Sequence, residues 1–232
     1  MERYVIIVAG GSGKRMESSI PKQFMLLYNR PVLMRVFDVF QNFDPNIKFV
    51  LVLNADYWAQ WQILCKEYNF TTQHQLVEGG SERYYSVKKG LDAIPKQVMV
   101  AVHDAARPLV SLQTIERCFQ YAEEQGNAVP AIEVSDSYRM LDPLGNKAIN
   151  RKLLRIIQTP QVFESTILKQ AYTQEFAPTF TDDASVLESL GIAINLVQGN
   201  TENIKITNPM DLIIATQWLQ NLLLNEAGNS VT

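Results

Sequence analysis

Cysteine is nearly missing from this chain: Cys65 and Cys118 are the only two in 232 residues. With no His or Cys companion at metal-ligand spacing, they exclude a disulfide framework and a cysteine-based metal knuckle, and read as buried free thiols. Histidine is equally scarce. His74 and His103 each stand alone, so no Ser-His-Asp or Cys-His arrangement is visible, and each reads as structural rather than catalytic. No apolar run approaches the roughly 20 residues of a membrane-spanning helix. The chain begins almost directly in an apolar strand, without the charged-then-apolar layout of a leader. A cytoplasmic location with no membrane partner is therefore expected. Excess charge is lacking too: the formal net charge is −3, which argues against nucleic acid as a bulk electrostatic partner.

What is present is a chain with 47% hydrophobic residues, enough to bury one large core, and a single domain over 1–232 is expected. Apolar runs alternate with amphipathic stretches, as in an open, mainly parallel α/β sheet of Rossmann-like type with helices on both faces. Tyr4 to Ala9, Lys48 to Leu53 and Val98 to Val102 read as strands buried on both sides. Asn29 and Pro31 mark a helix start, followed by Val32, Leu33, Val36, Phe37 and Phe40 at helical spacing. Residues 112–125 place Leu112, Ile115, Cys118, Phe119 and Ala122 on one face, a stripe that reads as core. Pro209 to Leu224, with Leu212, Ile213, Ala215, Trp218, Leu219 and Leu222, reads as a closing helix, and Asn225 to Thr232 as a frayed tail. Residues 128–160 break the rhythm: a strand, then two short segments around the turn Pro143-Leu144-Gly145-Asn146. That pattern predicts a β-hairpin arm, about 133–155, leaving the main sheet.

The chemistry concentrates at the N-terminus. Tyr4 to Ala9 runs into Gly10-Gly11-Ser12-Gly13-Lys14-Arg15-Met16, a strand followed by a glycine turn and two cations. Without Cβ atoms, such a turn brings backbone N–H groups close to an anion, as a triphosphate requires. Two better-known glycine loops fail. With Gly13-Lys14 as a Walker pair, Val8 and Arg15 stand where glycine and a hydroxyl residue are needed; in a dinucleotide fingerprint from Gly11 and Gly13, Met16 replaces the third glycine. Lys22 follows in Pro21-Lys22-Gln23. Residues 1–35 carry Arg3, Lys14, Arg15, Lys22, Arg30 and Arg35 against Glu2 and Glu17, so positive charge gathers where the loop lies.

Further along, Asp104 ends a buried strand in His103-Asp104-Ala105-Ala106-Arg107-Pro108, the position where open α/β sheets meet ligands. It suits Mg²⁺ beside a triphosphate; a helix cap or a local pair with Arg107 is the plainer alternative. Gly79-Gly80-Ser81-Glu82-Arg83 is a second glycine turn, with a helix expected from Ser81. Its backbone could read a base edge, with Ser86 adding a hydroxyl, or it could simply cap the helix. Thr159-Pro160-Gln161, Thr181-Asp182-Asp183 and Asn203-Ile204-Lys205 adjoin apolar runs. Lys205, between two isoleucines, alternates as in a strand.

Taken together, these blocks, with Ala184 and Ser185 extending the Thr181 block, resemble the 2-C-methyl-D-erythritol 4-phosphate cytidylyltransferase family over nearly the whole chain. The resemblance implies transfer of a cytidylyl group from CTP to that sugar-alcohol phosphate, with release of pyrophosphate, in non-mevalonate isoprenoid synthesis. It implies that Ala9, Gly10, Gly11, Ser12 and Gly13 hold the triphosphate while Arg15 and Lys22 stabilise charge on the pentavalent phosphorus. Gly80, Ser81 and Ser86 would contact cytosine and Ala105 the ribose. Asp104 would serve Mg²⁺ and the acceptor with Lys205 beside it, and Thr159 and Thr181 would face the acceptor. It further implies a homodimer through the arms, Ser137 and Arg151 completing the partner's site. The stretch Asn150 to Leu154 matches the family arm only loosely, and Ser81 replaces an aspartate of some members. Ribitol-5-phosphate cytidylyltransferases share the nucleotide-side blocks; a non-catalytic nucleotide-binding protein is the rival of another class.

Overall fold

Three apolar segments with no polar face can only be satisfied between two layers of helix, and that is where they lie. In the computed structural model, which describes residues 1–10 and 20–229, β1 (Arg3–Val8) pairs in parallel with β4 (Lys48–Leu53) on one side and β6 (Met99–Asp104) on the other. Between β1 and β4 come the two-residue strands β2 (Leu26–Leu27) and β3 (Arg30–Pro31), joined by a tight turn at Tyr28 and Asn29, both at positive φ. Strand β5 (Gln75–Glu78) extends the sheet beyond β4. The remaining strands are β7 (Asn127–Glu133), β8 (Tyr138–Asp142), β9 (Gly145–Ile149), β10 (Arg155–Ile157), β11 (Gln161–Glu164) and β12 (Leu196–Gln198). Among the described residues the main sheet runs β10-β7-β11-β6-β1-β4-β5, with β12 parallel to β7. The expected mainly parallel α/β sheet is therefore present. One feature lay beyond local patterning: β11 inserts antiparallel between β6 and β7.

Helices α1 (Val32–Phe43), α2 (Trp58–Glu67), α3 (Arg83–Asp92), α4 (Leu112–Gln125), α5 (Ser165–Ala171), α6 (Asp183–Glu188) and α7 (Pro209–Asn229) complete the chain. Alternation along β1 divides the core. Val5 and Ile7 face Leu33, Phe37 and Phe40 of α1, Trp61 of α2 and Phe119 of α4, while Ile6 faces Val87 and Leu91 of α3 and Leu168 of α5. Six side chains of α1 (Val32, Leu33, Met34, Val36, Phe37 and Phe40) are buried, each contributing roughly 1.5–3 kcal/mol of burial for the larger residues.

Several local expectations shift. Pro31, not Asn29, occupies the cap of α1, because Asn29 is used by the preceding turn. Helix α3 begins at Arg83, two positions after Ser81, since Gly79 to Ser81 stay outside the helix and Gly80 and Ser81 shape a cavity wall. Leu112, Ile213 and Leu222 are exposed rather than core. Helix α7 continues through Asn229 instead of fraying at Asn225, and 230–232 lie outside the described residues. Cys118 is buried and Cys65 half-buried, burial pushing their thiols up to about 12 and about 11. Lys205 lies in extended chain outside any strand, tied to the loop after β6 by the Ile206 N–H to Ala106 O bond.

Strands β8 and β9 pair only with each other, forming a hairpin whose base is closed where Arg155 of β10 pairs with Glu133 of β7. The arm thus leaves and re-enters at the same place. Among the described residues no helix is long and apolar enough to cross a membrane.

The chain moves outward from β1 to β4 and β5, then returns to the other side of β1 as β6. That reversal opens a crevice at the carboxyl ends of β1 and β6. Helix α3 presses on β1 and β4 through Gly90, where an added Cβ would lie 2.7 Å from Ile6 Cγ2 and 3.0 Å from Val52 Cγ2. Both neighbours are β-branched and stiff. Gly90→Val is therefore expected to destabilise the protein by about 2–3 kcal/mol, measured by urea unfolding; unchanged stability would contradict this packing.

Candidate active site

A cavity of about 430 Å³ occupies the crevice, lined by Val8 at the end of β1, Ala9 and Gly10 after it, Lys22 and Gln23, residues 80–83, Ser86, residues 104–106 and Lys205. The strand ends are fixed by backbone bonds: Ala9 N–H to Val52 O at 2.8 Å, Gly79 N–H to Leu53 O at 3.1 Å, and Ala105 N–H to Val8 O at 3.1 Å. Gln23 is buried and donates to Ala9 O at 3.4 Å, attaching the Lys22 turn to the glycine loop.

Ser86 joins the two glycine turns. Its hydroxyl accepts from Gly80 N–H at 3.0 Å and donates to Glu82 O at 3.1 Å, and an added Cβ on Gly10 would stand 3.3 Å from the same oxygen. Gly80 tolerates no side chain either, because its Cβ would fall 2.4 Å from Tyr85 Cβ. The glycines thus permit close approach of three backbone segments.

Asp104 is the electrostatic centre. Lys205 Nζ lies 3.0 Å and Arg107 Nε 3.3 Å from Oδ2, while Arg83 Nε lies 3.6 Å from Oδ1. Burial would push this carboxyl up, but Arg83, Lys205 and Arg107 outweigh it and hold it well below the usual carboxylate range. Arg83 is held in turn by a two-pronged pair with the buried Asp183, at 2.9 and 2.6 Å, and Tyr172 donates to the same carboxylate at 2.6 Å. Burial disfavours the Arg83 charge, and Asp183 reverses the balance, keeping the guanidinium charged.

The expected site residues divide into three sets. Ala9, Gly10, Lys22, Gly80, Ser81, Ser86, Asp104, Ala105 and Lys205 line the one cavity. Gly11, Ser12, Gly13 and Arg15 lie outside the described residues. The others do not line the cavity. Thr159 is buried behind Asp104, its hydroxyl accepting the Asp104 N–H at 3.1 Å. Thr181 is exposed, as are Ser137 and Arg151 on the arm, where Arg151 donates to Ser135 O.

Local reading of the sequence left Arg83 and Asp183 without roles, while the local Asp104–Arg107 pair offered as the plainer alternative is present, at 3.3 Å. The Asp182-Asp183 pair at a helix start was the available signal for a cap, and Asp182 does cap α6; nothing local pairs Asp183 with an arginine a hundred positions earlier. Both histidines are structural in position. His74 bonds Trp61 and Thr72, and His103 is fully buried against Phe40.

Residues 4–221 match the model of the family described as IspD, 2-C-methyl-D-erythritol 4-phosphate cytidylyltransferase. This chain belongs to that family. A 2-C-methyl-D-erythritol 4-phosphate cytidylyltransferase of Bacteroides thetaiotaomicron is 44% identical over 219 residues, covering 94% of this chain and all of the relative. That of Phocaeicola vulgatus is 46% identical over 215 residues, covering 93% and 98%. The crystal structure of 4-diphosphocytidyl-2C-methyl-D-erythritol synthase from Anaerococcus prevotii superposes with a TM-score of 0.80 at 26% identity, covering 94% and 96%. Family membership extends over the arm as well as the nucleotide-side blocks, since the match spans both.

The His103 imidazole is pulled down to about 4, chiefly by burial, against the opposing hydrogen bond to Arg107 O. A histidine lowered on folding contributes stability that is complete above about pH 6.5 and is lost as pH falls toward 4. The stability difference between wild type and His103→Gln should therefore shrink between pH 7 and pH 5 in urea titrations. A pH-independent difference would rule this out.

Proposed function

We propose that the cavity between β1 and β6 is where this chain joins its two substrates, with the named side chains dividing the work. The chain is a cytidylyltransferase of isoprenoid biosynthesis, transferring the cytidylyl group of CTP to 2-C-methyl-D-erythritol 4-phosphate and releasing pyrophosphate. The observation that supports this placement is the convergence of Lys22, Asp104 and Lys205 on one cavity at the strand ends, in a chain matching the family model over residues 4–221.

The nucleophile is already a phosphate anion, so the protein has little covalent work to do; it must align two anions and cancel their repulsion. The loop from Ala9 to Gly13 holds the triphosphate, and Arg15 and Lys22 neutralise charge gathering on the α-phosphorus. The backbone of Gly80 and Ser81, braced by Ser86, reads the cytosine edge, and Ala105 packs under the ribose. Lys205 meets the acceptor phosphate, Thr181 borders the acceptor, and Thr159 braces that side from behind. In a homodimer, Ser137 and Arg151 from the arm of a second copy close the acceptor side. The protein works in the cytoplasm.

Among the described residues no group of three or more His, Cys, Asp or Glu side chains is placed to enclose a metal. A Mg²⁺ that takes most of its oxygens from phosphates and water needs only one or two carboxylates. Asp104 fits that requirement, because Arg83 Nε stands back at 3.6 Å from Oδ1 while Oδ2 serves both Lys205 and Arg107. Bound there with CTP, Mg²⁺ would neutralise phosphate charge that Lys22 and Arg15 leave uncompensated. Activity is accordingly expected to vanish on chelation and to return with added Mg²⁺.

Loss of a transition-state cation typically lowers turnover by 10²–10³-fold, so Lys22→Ala and Arg15→Ala are each expected to reduce kcat at least about a hundredfold. A pyrophosphate-release assay with CTP and either 2-C-methyl-D-erythritol 4-phosphate or ribitol 5-phosphate, with product mass measured, tests the acceptor. Turnover with the ribitol compound alone, or near-normal kcat in both variants, would overturn the assignment.

A further inference from the structure

The turn that carries Asp104 and Arg107 is tied at both ends to a side chain that never reaches the cavity. Asp104 N–H donates to Thr159 Oγ1 at 3.1 Å, Thr159 Oγ1 lies 3.1 Å from His103 Nδ1, and His103 Nε2 lies 3.0 Å from Arg107 O. A carbonyl oxygen only accepts, so Nε2 carries the proton. In a neutral imidazole Nδ1 is then an acceptor, the Thr159 hydroxyl must donate to it, and that hydroxyl's lone pairs remain for the Asp104 N–H. One arrangement of protons satisfies all three bonds. The turn is closed on itself by Arg107 N–H to Asp104 O at 3.1 Å.

We propose that His103 is a positioning residue for the transfer reaction, clamping the first and last residues of the 104–107 turn through Thr159 and Arg107 and so setting where the Asp104 carboxylate and Arg107 guanidinium point. The ring is fully buried and stands edge-on to Phe40, 5.1 Å between centroids, so it acts only through other groups. The clamp also extends to the Lys205 segment. Asn203 Nδ2 donates to Thr159 O at 2.8 Å, and Arg107 donates to Asn203 O at 2.8 Å. The 104–107 turn and the Lys205 segment, which carry the cavity charges Asp104 and Lys205, are thereby indexed to one imidazole. A histidine kept for packing alone would be replaceable by phenylalanine; a clamp would not.

This rests on the cytidylyl-transfer reading, so one arm of its test needs no turnover. Side-chain ¹⁵N–¹H correlation spectra of the wild type should show His103 protonated at Nε2, with the Nδ1 resonance moving in Thr159→Val and staying near wild type in Thr159→Ser. A proton on Nδ1 overturns the clamp whatever the enzyme's substrate. In the kinetic arm, His103→Phe and Thr159→Val should each lower kcat about tenfold or more with KM for CTP within about twofold. Thr159→Ser should recover to within about threefold of wild type, and the double variant should be no worse than the poorer single, because both break one chain of bonds. Wild-type kcat in either folded variant, or losses that multiply in the double variant, overturn the proposal. A wild type inactive toward CTP and the acceptor would instead sink the functional reading, leaving the spectra to judge the clamp.

Discussion

One carboxylate surrounded by three cations organises this molecule's working end. Asp104 stands on the last position of β6, beside the end of β1, and draws Arg83 from α3, Arg107 from its own turn and Lys205 from the extended segment before α7. A buried pair with one partner missing leaves an uncompensated charge that costs several kcal/mol, so each member constrains the others. Arg83 would overfill the cluster on its own; Asp183 balances it from the far side of the cavity wall. The outcome is a rigid set of charges of both signs at the mouth of a parallel sheet.

Rigidity there has a chemical purpose. Moving a phosphorus centre between two anions requires groups already oriented before charge develops, because reorganising dipoles during the reaction would raise the barrier. The supporting layer meets that requirement with short, directional bonds. Ser86 saturates the second glycine turn, Gln23 attaches the Lys22 turn to Ala9, and Thr159 receives the Asp104 amide. The cavity is lined by glycine-rich backbone together with Lys22, Arg83 and Lys205 beside Glu82 and Asp104, which suits nucleotide and phosphate rather than an apolar guest. The arm is built on the opposite principle. Its strands pair only with each other, and Leu141, Leu144 and Leu153 are largely exposed.

Legibility varied by element for identifiable reasons. Strands β1, β4 and β6 and helices α1 and α4 could be read within a residue or two, because continuous β-branched runs and 3.6-residue stripes are local signals. The hairpin arm was visible through its Pro-Leu-Gly-Asn turn and lack of core residues. By contrast, β5, β11, β12 and α2 lack a strong period, and Gln161 to Glu164 carries nothing that announces antiparallel insertion beside β6. Lys205 was singled out as the polar member of an alternating segment, and it lines the cavity, yet the segment makes no ladder: Ile206 N–H to Ala106 O is its backbone bond to the neighbouring chain among the described residues, its other ties running through side chains. The turn at Gly79 to Ser81 left base reading and helix capping open. The structure places Gly80 and Ser81 on the cavity wall and starts the helix at Arg83.

The amino-acid sequence by itself determined the alternation of strands and helices, the glycine turns where backbone had to come close, and the surplus of cations near the N-terminus. Those properties follow from backbone sterics and side-chain periodicity within a few residues. Only the tertiary structure decided which charges meet. The pairing of Arg83 with Asp183, the arrival of Arg83 and Lys205 on Asp104 and the tie from His103 to Thr159 join positions far apart in the chain. Their energies depend on sheet order and burial, which no local segment encodes.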